Sequence, residues 1–353
     1  MTSSSEGALD RTPTAVATTT YCHHNVLSPQ SAVTKGGAIP VMFIIRRLFA
    51  LIGVLIVSSF LVFAGMYAAP GSPEKFLVQG RTVSPEVLAA IREQYSLDDP
   101  FFVRFWNWLT GVLQGNFGQS LVNRQDVGDL LATRLPTTIT LVVMAAILIM
   151  VLGVGLGIVA GTRDGPLDKV ILLGSNLGFA VPTFFAALIL MSIFSVGLGW
   201  FPVFGSGDGF LDRLWHLTLP ALALALPSMA VVARITRTSI REERGSEHSI
   251  MAMARGVPKR LVQRRHVIRN SMLPVSTIVG VHIAGLIAGA FVIEYAFTLD
   301  GIGTLLISAV QTKDFAVVQA ITIILVAAFG LINLLVDLLY AAIDPRVRTR
   351  GEG

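Results

Sequence analysis

The sequence predicts an all-α integral membrane protein with six transmembrane helices, and three observations carry that expectation. Only 14% of the 353 residues are charged and 53% are hydrophobic, whereas a soluble domain carries about 25% charged residues. The apolar residues fall into six runs, each near the roughly 20 uncharged residues that a helix needs to cross a bilayer. Lys and Arg gather in one connection and beside the first and last runs, which is the asymmetry of a chain whose positive loops stay cytoplasmic.

The runs extend from Leu48 to Ala69, Thr138 to Gly161, Val170 to Leu198, Leu217 to Ala233, Val275 to Phe297 and Ala316 to Ile343. The fourth is short and bounded by Pro220 and Pro227. The connection from the fourth to the fifth holds Arg234, Arg237, Arg241, Arg244, Arg255, Lys259, Arg260, Arg264, Arg265 and Arg269, while the flanking connections hold only Arg213 and Lys313. Arg46 and Arg47 precede the first run, and Arg346, Arg348 and Arg350 follow the last. Both termini are therefore expected in the cytoplasm. The domain expectation follows: a disordered cytoplasmic extension over 1–40, a first span over 41–69, an external helical region over 70–135, a five-helix core over 136–345 that includes the basic loop 234–273, and a tail over 346–353.

The Ser/Thr/Ala-rich extension lacks the early apolar stretch of a secretory signal and has the composition of a disordered segment. Cys22 is the single cysteine, which excludes an internal disulfide framework. With His23 and His24 it forms three adjacent residues, too few to close a tetrahedral shell, so no metal site is expected. The net charge of +5 belongs to positions beside membrane helices, which face lipid headgroups and cytoplasmic partners; nucleic acid is not expected.

After the first run, Pro70-Gly71-Ser72-Pro73 stops the helix. Ser84-Pro85-Glu86 has the signature of a helix start, and Asp99-Pro100 repeats it. Phe101, Phe102, Phe105, Trp106 and Trp108 then suit either a helix at the membrane boundary or a small external core. Gly153, Gly155, Gly157 and Gly161 lie inside a span, so they predict close helix packing and no dinucleotide fingerprint. Gly280, Gly285 and Gly289 predict the same for the fifth span. The chain has no phosphate-binding loop and no His-Glu-x-x-His zinc helix. Gly205-Ser206-Gly207-Asp208 is like the Gly-x-Gly-Asp of intramembrane aspartyl proteases, but it lies in an external loop and is expected to be a turn. No catalytic residue is assigned.

The basic loop carries the sharpest pattern. Ser246-Glu247 starts a helix, and Ile250, Met253, Ala254 and Val257 fall at i, i+3, i+4 and i+7 as one apolar stripe. Gly256 ends that helix, with a positive φ expected there, and Pro258 begins a basic one. An exposed apolar stripe needs a cover, either a partner or the protein's own bundle and lipid.

These residues resemble the coupling loop of ABC-transporter permeases. The spacing of Ala252-Met253-Ala254-Arg255-Gly256-Val257-Pro258, His266, Arg269-Asn270 and Leu273-Pro274-Val275 is that of the peptide/nickel import group. The resemblance runs from about Arg46 to Arg348. It includes Pro70-Gly71-Ser72-Pro73, Leu97-Asp98-Asp99-Pro100, Gly115-Asn116-Phe117-Gly118, Arg234-Ile235-Thr236-Arg237, Asn333 to Tyr340 and Asp344-Pro345-Arg346. Two departures stand out. Where that family usually has Arg-Thr-Ala-Arg-Ala-Lys-Gly, this chain has Ile250 to Gly256, and Asp300-Gly301 replaces a Pro-Gly.

The resemblance implies a type I ABC importer permease in a bacterial cytoplasmic (inner) membrane. Its implied partners are a second homologous permease, two cytoplasmic ATPase subunits that hold ATP and Mg, and an external substrate-binding protein. Membrane lipids surround it, and the chain itself holds no cofactor. Glu247, Ile250, Met253, Ala254, Arg255, Gly256, Val257 and Pro258 would contact the ATPase, and the solute would cross by alternating access. Di- and oligopeptides lead the implied cargoes, with nickel chelates, haem and glutathione-like compounds behind.

Polar groups inside spans are candidate pathway contacts. His282 either lines the route or bonds a neighbouring helix. Glu294 either lines it or reaches water at the outer end. Asn333, one turn from Asp337, either lines it or pairs near Arg46 and Arg47. The alternative function is a secondary transporter driven by an ion gradient, for which broken-helix repeats are expected and no clear repeat is seen.

Overall fold

A computed structural model describes residues 41–68, 86, 99–120 and 122–343. The expectations for the extension, for Pro70 to Pro73, for the helix start at Ser84-Pro85 and for the tail fall outside them. Among the described residues the chain forms helices α1 (Val41–Ala68), α2 (Phe101–Leu113), α3 (Val127–Thr162), α4 (Pro166–Ala180), α5 (Thr183–Gly197), α6 (Phe210–Arg244), α7 (Glu247–Ala254), α8 (Lys259–Ala296), α9 (Ile302–Thr312) and α10 (Phe315–Ile343). There is no strand among them, only one isolated bridge between Gln119 and Asp126. By length and composition α1, α3, α6, α8 and α10 can each cross a membrane, and the α4–α5 pair makes a sixth span if counted as one.

Three boundaries differ from expectation. The third run is not one straight helix. It bends by 111° between α4 and α5, because Pro182 excludes the helical conformation for Val181, whose φ and ψ are −84° and 122°. The fourth run is not short. It becomes the 35-residue α6, which passes through Pro220 and Pro227, since membrane helices re-satisfy the carbonyls that a proline frees. The second begins at Val127, eleven residues before the apolar run from Thr138, so its helix starts inside the segment expected to be external. Asp126 caps this start by accepting from the Gly128 amide at 2.7 Å.

α6 is the hub, packing against α3, α4, α5 and α8. The main core joins Leu141 and Ile149 of α3, Met191 of α5, Leu217 to Val232 of α6, Val275 to Ile293 of α8 and Phe297 just after it. A second core joins Val127 and Leu131 with α9 and the start of α10. α1 packs against α10 and α2. Phe101, Phe105 and Trp108 of α2 stack edge-on or tilted against Phe60 and Phe63 of α1, with centroids 5.4 to 5.7 Å apart, while Phe102 and Trp106 stay exposed. The aromatic segment thus gives one face to a span and the other outward.

Three of the four glycines expected to pack closely in α3 do so, and Gly155 faces open space. Gly153, Gly157 and Gly161 of α3 face Val232, Thr236 and Ile240 of α6, each set repeating every four residues so that the two backbones close together. A Cβ at Gly161 would stand 2.8 Å from that of Ile240 and 3.1 Å from the Arg237 carbonyl. Gly161→Val is therefore expected to cost about 1–3 kcal/mol, read as a lower Tm in detergent. Gly155→Ala, with nothing within 4 Å, should leave Tm unchanged. In α8, Gly289 meets Leu224 and Gly280 meets Val336, whereas Gly285 faces open space.

Candidate functional site

The loop after α6 turns at Gly245, and α7 follows with Ser246 as its N-cap. The Ser246 hydroxyl donates to the Glu243 carbonyl at 2.7 Å and does not cap the helix. Beside it, His248 Nε2 lies 3.0 Å from the Glu243 carboxylate and 3.2 Å from Asn270 Nδ2, tying the first turn of α7 to α8. At the far end, the Gly256 amide donates to the Met253 carbonyl at 3.0 Å and the Val257 amide to the Ala252 carbonyl at 3.2 Å. That pair of bonds is the Schellman motif, and it holds Gly256 at φ +81°. The predicted positive φ is present.

The apolar stripe divides between two sides. Ile250, Met251 and Met253 are exposed, as are Glu247, Ala254, Arg255, Gly256 and Pro258. Val257 turns inward, where it and Ala252 pack with Ile158 against buried Ile240, Val262 and Val267. Ser249 is fully buried on the same side. So the loop is a short hard-backed platform, seated on the C-terminal ends of α3 and α6, with a Met-rich apolar face turned away from the bundle.

Among the described candidate residues of the spans, His282, Glu294 and Asn333 each have a partner within the chain. His282 Nδ1 lies 3.1 Å from the Ser228 hydroxyl of α6, which is the neighbouring-helix bond anticipated for it. Asn333 Nδ2 donates to the Phe329 carbonyl of its own helix at 2.8 Å; the Asp337 side chain is outside the described ones. Glu294 does not reach water. It is fully buried, with Oε1 accepting from the Thr138 hydroxyl at 2.5 Å and Oε2 from the amides of Gly303 at 2.7 Å and Thr304 at 3.3 Å. The expectation of a pathway contact at Glu294 is corrected accordingly, because no carboxyl surface remains for a solute to touch. Asp208 lies in a turn with Gly205 at φ +89° and Gly207 at φ +70°, its amide donating to the Asp212 carboxylate at 2.8 Å, so the protease-like string is a turn ahead of α6.

A cluster missed in the sequence joins the C-terminal end of α6 to the start of α4. Arg237 Nε and Nη2 bind the two carboxylate oxygens of Asp168, the second at 2.8 Å. Arg241 Nη2 reaches Asp168 at 2.8 Å and Asp164 at 3.2 Å. Arg244 reaches Asp164 at 3.2 Å and the Gly161 carbonyl at 3.0 Å. The spacing i, i+4, i+7 puts the three guanidinium groups on one face, and that spacing was the available signal.

Two family descriptions cover the described helices. Residues 153–349 match the binding-protein-dependent transport system inner membrane component, and residues 41–142 match the N-terminal part of the same kind of membrane component. Over 307 residues the chain is 37% identical to the glutathione transport system permease protein GsiC of Salmonella choleraesuis (strain SC-B67), covering 87% of this chain and 98% of that protein. Against the GsiC of Escherichia coli (strain K12) the identity is 35% over the same coverage. The chain belongs to the binding-protein-dependent inner membrane component family. It is a permease subunit of an ABC importer with the type I fold, a transport component. Membership displaces the ion-gradient alternative, and it implies work alongside permease, ATPase and binding-protein subunits. In this permease the platform and the arginine cluster occupy one end of α6, and Glu294 the opposite end of α8.

Proposed function

We propose that this permease moves short peptides or glutathione-like compounds inward by alternating access, with loop 234–273 as the seat of an ATPase subunit. The observation that carries the coupling assignment is the exposed Ile250–Met251–Met253 face on a platform that is rigidly backed by Ile240, Val262 and Val267. An apolar face of that kind on a loop otherwise rich in Arg calls for a protein groove, and methionine adapts to an irregular one. The cargo assignment rests on the glutathione transport permeases that the chain resembles.

In this reading two such loops, one from this chain and one from a second homologous permease, meet two ATPase subunits that bind ATP and Mg. An external binding protein delivers the solute, and both termini lie in the cytoplasm. His282 and Asn333, which keep some exposed surface, are the proposed pathway contacts.

A cysteine at Met253, in a Cys22→Ser background, should crosslink to the ATPase subunit and to no external protein. Met253→Asp should leave the permease in the membrane and cut uptake at least tenfold while ATP hydrolysis continues. Normal uptake by Met253→Asp would refute the coupling role. Reconstituted with its ATPases and binding protein, the permease should accumulate labelled glutathione or labelled dipeptides. Failure with both classes would refute the cargo assignment.

A further inference from the structure

α4 is held to the rest of the permease in an unusual way. Its buried residues are Asp168, Ser175 and Gly178, and no large apolar side chain is among them. Leu167, Val170, Leu173, Leu177 and Phe179 are all more than half exposed. Gly178 makes a close approach, since a Cβ there would stand 3.4 Å from that of Ala230, but it contributes no side chain. Ile171 and Leu172 are half-buried, and the polar hold on α4 is the bidentate pair of Asp168 with Arg237, reinforced by Arg241. Bidentate guanidinium–carboxylate pairs fix orientation as well as position.

The same arginines stand next to the proposed ATPase seat. Arg244 is the last residue of α6, two before the Ser246 that caps α7. Ile240, between Arg237 and Arg241, is the buried anchor on which Ala252 and Val257 rest. A displacement of the platform must therefore move the Arg237–Arg244 turns, and with them Asp164 and Asp168. The pairing also has room to change. Arg241 Nε is buried without an acceptor, which costs stability in this arrangement. The arginines recur about once per turn, so a slide of α6 along α4 would offer the same carboxylates to the next guanidinium. Elements with two discrete pairings are what convert small shifts into two-state movement.

We infer that Asp164 and Asp168, clasped by Arg237, Arg241 and Arg244, are the positioning residues that transmit movement of the ATPase-contacting loop to the bent α4–α5 segment. The inference rests on the coupling role proposed above for that loop.

The test uses the complete transporter complex with spin labels at Leu173 on α4 and Val196 on α5, both exposed, in a Cys22→Ser background. In the otherwise native complex the inter-label distance should change when ATP and vanadate trap the ATPases. In Asp168→Asn the change should disappear, while ATP hydrolysis and the Met253 cysteine crosslink stay within twofold of native. Arg241→Gln, at the more exposed partner, should reduce the change without abolishing it, and it covers the case in which Asp168→Asn fails to assemble. Asp168→Asn combined with Arg237→Gln should be no worse than Asp168→Asn alone, as expected of two residues acting through one contact. A distance change that persists in both single variants would overturn the inference. So would the absence of any change in the native complex, or loss of the crosslink in Asp168→Asn, which would make the clasp a support of the loop's own fold. If the Met253 crosslink fails in the native complex as well, the coupling role of the loop falls separately, and the clasp is still judged by the distance change in Asp168→Asn.

Discussion

Glu294→Ala is expected to leave little folded permease in the membrane, the largest stability loss of any single substitution considered for this chain. One carboxyl group and one hydroxyl satisfy the whole first turn of α9. Glu294 accepts from the Gly303 and Thr304 amides, while Thr138, which donates to Glu294, accepts from the Ile302 amide at 3.0 Å. Those amides have no carbonyl partner within their own helix, and Glu294, Thr138 and Ile302 are buried. Removing the carboxyl group strands two buried donors and the Thr138 hydroxyl. Each stranded group costs about 1–3 kcal/mol, against a total stability of about 5–15 kcal/mol for a typical domain. The loss also spreads, because α3, α8 and α9 meet at this point.

Two companions separate the carboxyl group's role from side-chain volume. Glu294→Gln keeps the shape and one acceptor, so its Tm in detergent should fall between native and Glu294→Ala. Gly303→Ala should resemble Glu294→Ala although the carboxyl group is intact, because a Cβ there would stand 2.8 Å from Glu294 Oε2 and 2.8 Å from the Phe291 Cα. Equal Tm values for native and Glu294→Ala would show that the carboxyl group is not what holds α9.

Apolar spans and the helical corner of the basic loop were legible in the sequence because each depends on neighbours along the chain. A run of apolar residues says how long a helix can be inside lipid, and Gly256-Val257-Pro258 says where a helix must stop. The bend at Val181-Pro182 was equally local, yet it was hidden inside a run that hydropathy alone reads as continuous. Pro220 and Pro227 erred in the opposite direction. They look like ends, but packing on α3, α5 and α8 keeps α6 helical through both. What the sequence could not supply were partners remote in the chain. Thr138 and Glu294 are 156 residues apart, and Asp168 and Arg237 are 69 apart. Ser120 donates to buried Asp314 at 2.5 Å across 194 positions. Arg237, Arg241 and Arg244 were visible as positive charges of a basic connection, but charge counting cannot tell a free cation from one already paired with Asp164 or Asp168.

Gly256 offers the second large effect, on transport and not on stability. A Cβ at this position would meet nothing within 4 Å, so space is not the obstacle. The backbone is. At φ +81° a residue with a Cβ is disfavoured by about 1–2 kcal/mol, and a β-branched one by more. Gly256→Asn should be nearly silent, since asparagine is the other residue that accepts this conformation at helix ends. Gly256→Ala should be intermediate. Gly256→Val relieves its strain by opening the corner, which breaks the Gly256–Met253 and Val257–Ala252 bonds and withdraws Val257 from Ile240, Val262 and Val267. The platform then loses its backing, and the Ile250–Met251–Met253 face no longer meets the ATPase at a fixed angle. In proteoliposomes holding the whole transporter, Gly256→Val should lower uptake at least tenfold while ATP hydrolysis continues, with Gly256→Asn close to native in both. If valine and asparagine at this position support equal uptake, the left-handed corner is not what aims the loop, and the coupling assignment loses its geometric basis.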